Sequence, residues 1–127
     1  MATLSLSRSK KLLESQGFKV GIVEYWHAYA HKRMDLYGLA DLVALRGDRA
    51  GTTYIQCCGE DIQSHVEKML ANTVMPDLLK AGNPCFLWAW RKRGGRGERK
   101  MWDLKEIEFL IEAGQVVHRE VPVKEDL

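Results

Sequence analysis

Long apolar runs are missing from this 127-residue chain. No stretch approaches the roughly 20 residues that cross a bilayer as a helix. The opening MATLSLSRSKK also lacks the apolar segment of a secretory signal, so the expected location is the cytoplasm, with no membrane partner. Cysteine is scarce. Cys57, Cys58 and Cys85 are an odd number with two of them adjacent, which argues against a disulfide framework and for reduced thiols. No C-x-x-C pair accompanies them, so His27, His31 and the vicinal cysteines do not read as a zinc motif. A large excess of charge is missing as well: the net value is +2, which by itself does not mark a nucleic-acid binder. Internal repeats, low-complexity tracts and linkers are not found, which leaves one domain spanning 1–127.

What the chain does contain is the balance of a folded protein, 46% apolar and 28% charged residues. Its positive charge is unevenly distributed. Arg91, Lys92, Arg93, Arg96, Arg99 and Lys100 follow one another with only glycines and Glu98 between, and Arg8, Lys10, Lys11, Lys32 and Arg33 form a second group. Gathered on one side they would track a phosphate backbone; dispersed, they are solvated faces.

Residues 5 to 16 combine serines suited to capping with Leu6, Leu12 and Leu13, and Gly17 stops the pattern, which predicts a first helix. FKVGIVEYW, from 18 to 26, reads as a strand that runs into an irregular connector over 27 to 38. LADLVALRG and TTYIQCC, joined by the turn GDRAG, read as a hairpin. Asp61 is placed to cap a helix carrying Ile62, Val66, Met69 and Leu70, and Pro76 restarts it. PCFLWAW, from 84 to 90, has the continuous apolar character of a strand buried on both faces. Asp103 and Glu106 have capping-box spacing, and Leu104, Ile107, Leu110 and Ile111 predict a short helix over about 104–113, with a polar tail from 118 to 127. The sum is an α/β domain with a mixed sheet flanked by helices.

The segment richest in chemistry is Asp35-Leu-Tyr-Gly38-Leu-Ala-Asp41-Leu, followed after one turn by Tyr54-Ile-Gln56-Cys-Cys58. Asp41 opens an apolar strand, where an unpartnered carboxylate is costly. Strand alternation puts Gln56 and Cys58 on one face, with Gln56 across from Asp41. Asp41 also reads, more simply, as a turn cap or as a partner of Lys32 or Arg33. A nucleophilic Cys57 or Cys58 with His65 needs partners that only the fold can supply. Trp88 and Trp90 share a strand face and suit either core packing or base stacking.

An aspartate after a glycine at the start of one hairpin strand, with an acid or amide on the next, resembles the PD-(D/E)XK nuclease superfamily. The resemblance covers about 5–104. It looks closest to small phage and bacterial members, of Holliday-junction-resolvase or VRR-NUC type, through Arg33, Asp35, Leu36, Gly38, Asp41, Leu42 and Gln56. It implies a restriction-endonuclease-like αβββαβ core and Mg²⁺- or Mn²⁺-dependent hydrolysis of DNA phosphodiester bonds, on branched or phage DNA. Asp41 would be the principal metal ligand, with Gln56, the Cys57 carbonyl and Asp35 completing the set, and Glu14 an additional carboxylate. Cys58 stands where the family has a lysine, and Lys68 on the following helix would replace it. Lys32, Arg33, Arg91, Lys92, Arg93, Arg96 and Arg99 would contact DNA, and a homodimer would suit cutting of two strands. The alternative is a DNA-binding module of the same fold without turnover.

Overall fold

The computed structural model describes residues 4–94, 96, 97, 99 and 101–122. Helix α1 spans Leu4–Ser15 and leads into β1, Lys19–Ile22. A small separate hairpin follows, β2 at Tyr25–His27 and β3 at Lys32–Met34. Then come β4 (Leu42–Leu45), β5 (Thr53–Cys58), α2 (Ile62–Leu70), α3 (Met75–Lys80), β6 (Cys85–Arg93), β7 (Met101–Glu112) and β8 (Gln115–Glu120). Six strands form one sheet in the order β1-β4-β5-β6-β7-β8, while β2 and β3 pair only with each other. The pairing of β5 with β6 is parallel and the other pairs are antiparallel, so the sheet is mixed. The crossover between the two parallel strands carries α2 and α3, as a parallel connection requires.

Alternation along β5 divides the core into two layers. Ile55 and Cys57 pack with Leu6 and Leu13 of α1, while Cys58 packs with Val66 and Met69 of α2 and with Leu78 of α3. Leu6, Ser9 and Leu13, spaced three and four apart, make the buried stripe of α1. Ser9 is fully buried, and its Oγ accepts hydrogen bonds from Trp90 Nε1 at 2.9 Å and Cys57 Sγ at 3.3 Å. Trp88 is likewise a core residue, donating to Glu106 Oε2 at 2.6 Å, so neither indole is free to stack on a base. Gly51 marks a close backbone approach: a Cβ there would lie 2.2 Å from the carbonyl oxygen of Gly82.

Two expectations from the sequence are corrected. The predicted helix over 104–113 is the middle of β7, and the predicted polar tail begins too early, because His118–Glu120 belong to β8. The capping-box spacing misled: Glu106 is bonded to Trp88, and Asp103 pairs with Arg93 at 3.0 Å. The decisive pattern is instead Ile107, Phe109 and Ile111 at every second position. The first two enter the core beneath α2 and α3, and a twelve-residue strand with a β8 partner satisfies more backbone than a short terminal helix would. The connector over 27 to 38 is not wholly irregular either, since Lys32–Met34 pair back onto Tyr25–His27. The remainder of the tail, 123–127, lies outside the described residues.

Candidate functional site

Asp41 is delivered to the sheet by a tight turn. Leu39 N–H donates to the Leu36 carbonyl at 2.9 Å, and the two central residues, Tyr37 and Gly38, have φ of 59° and 69°. Two successive left-handed residues favour glycine at the second place, and a Cβ on Gly38 would lie 3.2 Å from Asn72 Nδ2. The backbone of Asp41 is then fixed on both sides. Its N–H donates to Ile55 O at 2.9 Å, and its carbonyl accepts from Val23 N at 2.9 Å and Glu24 N at 3.3 Å.

Asp41 is 8% exposed, and its Oδ2 accepts from Gln56 Nε2 at 3.1 Å and from the Cys57 N–H at 2.9 Å. Gln56 does lie across from Asp41, but it presents the amide nitrogen. Burial pushes the carboxyl up to about 6; the Cys57 N–H opposes this, the negative charges of Glu24 and Asp35 add to it, and His65 counters them. Burial thus acts most strongly on Asp41, and the charges of Asp35 and of Glu24, the latter paired with Arg33 at 3.4 Å, add to it.

A buried carboxylate held off its ordinary pKa marks a candidate functional position. The Gln56 amide touches Asp41, while Asp35 and Glu24 act on it through their charge. Hard divalent cations take oxygen ligands such as a carboxylate and an amide oxygen, and a bound one polarises a phosphate oxygen and acidifies a water.

The other sequence-predicted residues divide. Asp35 is half-buried and acts on Asp41. It is the N–H of Cys57, rather than its expected carbonyl, that contacts Asp41, and its thiol points away toward Ser9 under α1, where burial pushes it up to about 12. Glu14 does not join. The start of α1 meets the site end of β5, where Ser5 Oγ donates to Cys58 O at 3.2 Å. Glu14 is nine residues further on, about 13 Å along a helix at 1.5 Å per residue, and it pairs with Lys10 at 3.1 Å. Lys68 is exposed on the side of α2 that runs from His65 toward Asn72. Asn72 Nδ2 donates to Tyr37 O at 2.9 Å, so this side borders the loop that carries Asp35.

Among the basic residues, Arg91 and Arg93 continue the side of β6 occupied by Leu87 and Ala89, the side to which Cys58 also belongs. Cys58 is paired with Ala89, which puts Arg91 next beyond it on that face, with its Nε buried and without a hydrogen-bond partner. Arg93 pairs with Asp103. Lys92 points to the opposite face, its Nζ 5.4 Å from the Trp102 ring centroid, on which Arg8 also stacks at 3.7 Å. Lys32 and Arg33 are exposed on β3, Arg33 reaching Glu24 at 3.4 Å. Arg96 and Arg99 are exposed, whereas Lys100 and Glu98 lie outside the described residues.

Sequence reasoning missed Glu24, and it set Cys58 with His65 without the Asp61 that joins them. Glu24 carries no motif, and only its backbone bond to Asp41 reveals it. Asp61 stands at the N-cap of α2, but its side chain makes no capping bond and faces His65 at 3.4 Å. The Cys58–His65 approach does not make an activated nucleophile, because burial, with Asp61 and Asp41 adding, pushes the thiol up to about 12.

Comparison with known proteins gives no match to any family model, curated protein or solved structure. No helix among the described residues is long and apolar enough to cross a membrane.

Proposed function

We propose that this chain is a metal-dependent deoxyribonuclease domain of PD-(D/E)XK type, with Asp41 as the principal ligand of Mg²⁺ or Mn²⁺. The observation that carries the reading is the buried Asp41 at the head of β4, held against Gln56 and acted on by the charges of Asp35 and Glu24 at the end of a mixed sheet. The chain order agrees with a restriction-endonuclease-like core: helix, three sheet strands, helices, then a strand parallel to the third, with the β2–β3 hairpin as an insertion.

The surroundings suit a polyanionic substrate. Arg91 lies on the same face as Cys58, Lys68 borders the Asp35 loop, and Lys32 and Arg33 stand on the hairpin beside Asp41. That hairpin and the turn after it also expose Tyr25, Trp26, Tyr29 and Tyr37. Aromatic rings next to cations hold unpaired bases by stacking, so a strand-separated or branched DNA suits this surface better than plain duplex. In this reading the chain's own residues place the phosphate: Arg91 and Lys68 attract it, and Asp41, Asp35 and Glu24 anchor the cation beside it. A homodimer would let two such sites act on two strands.

The exposed position of Lys68 and the thiol at Cys58 favour a second reading, a module that binds DNA without cutting it. One experiment separates the two. Plasmid, single-stranded and four-way-junction DNA are incubated with Mg²⁺ or Mn²⁺ and either wild-type protein or Asp41→Ala. The nuclease reading expects metal-dependent product from wild type and a loss of at least about a hundredfold in the variant. Retention of DNA without product from any substrate leaves the binding module, and equal product from both proteins overturns the role of Asp41.

A further inference from the structure

Beyond that reading, and independent of DNA, the strand-to-helix junction after β5 gathers a second set of ligands. We infer that Cys58, Asp61 and His65 form a binding site for a thiophilic divalent transition metal of the Zn²⁺ class. One ligand atom from each lies within 4.8 Å of the other two. Four-coordinate zinc holds its ligands roughly 3.5 Å apart, so closure needs about 1 Å of side-chain movement and no change of backbone.

The spacing has a structural cause. Cys58 is the last residue of β5, Asp61 is the N-cap of α2, and His65 is one helical turn further on, so strand end, cap and first turn converge. The imidazole is already oriented: its Nδ1 lies 3.0 Å from the Asp61 carbonyl oxygen and 3.4 Å from Asp61 Oδ1. Cys58 is 6% exposed while Asp61 is open to solvent, which gives the ion a buried anchor and an entry path.

The donor set differs in kind from the oxygen set around Asp41. One sulfur, one imidazole nitrogen and one carboxylate oxygen suit zinc or cobalt and reject magnesium. On binding, the Cys58 S–H bond gives its proton to solvent and Sγ bonds the metal; thiolate, carboxylate and neutral imidazole then balance the 2+ charge. Three protein ligands leave a fourth position for water, the open arrangement of zinc sites that do chemistry.

Cobalt is the probe, because a thiolate bonded to Co²⁺ gives a near-ultraviolet charge-transfer band that oxygen and nitrogen ligands do not. Titration of the full chain with Co²⁺ is expected to give this band at one ion per chain, displaced by Zn²⁺ and unaffected by millimolar Mg²⁺. Cys58→Ser should abolish it, His65→Ala should weaken binding at least tenfold, and Asp41→Ala should retain it. Circular dichroism shows whether each variant is folded, and His65→Ala decides the matter if Cys58→Ser does not fold. Absence of the band in folded wild type overturns the site, as does its persistence in folded Cys58→Ser or undiminished affinity in His65→Ala. DNA cleavage plays no part in this readout, so the site and the nuclease reading fail separately.

Discussion

The two faces of β5 are one residue apart in sequence and opposite in character. Toward α1, Cys57 donates to Ser9, Ser9 also accepts from Trp90, and Leu6, Leu13 and Ile55 fill the space around them. The polar groups there hold one another. Toward α2, Gln56 and Cys58 face Asp41, whose carboxyl keeps two donors and is still pushed up to about 6. Equivalent burial thus has two meanings. Polar atoms that satisfy each other fix a helix on a sheet, whereas burial and the charges of Glu24 and Asp35 disfavour the ionised form of Asp41 and make it the candidate functional group.

The face toward α1 is the more sensitive to truncation. Leu13→Ala removes a side chain 2% exposed beneath α1 and should cost about 2–5 kcal/mol by chemical denaturation. The Asp41 site should survive this where the protein is still folded, with unchanged metal affinity. A loss of metal affinity in folded Leu13→Ala would show that the two faces are not separable.

A smaller effect sharpens the other face. The folded carboxyl of Asp41 titrates about 6 against 3.8 for its ordinary value, so the folded state binds the proton more tightly than the unfolded one. The stabilisation is full below 3.8 and is lost as pH rises through about 6, roughly 3 kcal/mol in all at 1.36 kcal/mol per unit. In a chelating buffer, stability measured by denaturant should therefore fall between pH 4 and pH 7, and Asp41→Asn should flatten that slope and exceed wild type at pH 8. Asparagine keeps an oxygen for Gln56 and the Cys57 N–H, so its bonds are retained while the charge is removed. A wild-type profile as flat as the variant's would mean that Asp41 is not strained by its ionisation.

Much of this was legible in the sequence, and for identifiable reasons. The turn GDRAG and alternation in TTYIQCC were enough to set Gln56 opposite Asp41, because a hairpin register follows from local rules. The twelve-residue β7 was hidden, since Leu104, Ile107, Leu110 and Ile111 fit a helical period as well as Ile107, Phe109 and Ile111 fit a strand. Only the availability of β6 and β8 as partners decides between them. The family resemblance implies Glu14 at the site, but the direction of α1 sends it to the opposite end of the sheet. Glu24 reaches Asp41 across a pairing of β1 with β4, a long-range contact that no spacing encodes.

Binding of Mn²⁺ to the full chain, followed by the loss of the free-ion electron paramagnetic resonance signal near pH 7.5, tests the central claim most directly. Manganese prefers the oxygen ligands around Asp41 to the thiol-containing set at Cys58. The account predicts one saturable ion per chain, with affinity reduced at least tenfold in Asp41→Ala and unchanged in Cys58→Ser. Wild-type affinity in folded Asp41→Ala, or no saturable binding to wild type, would contradict it.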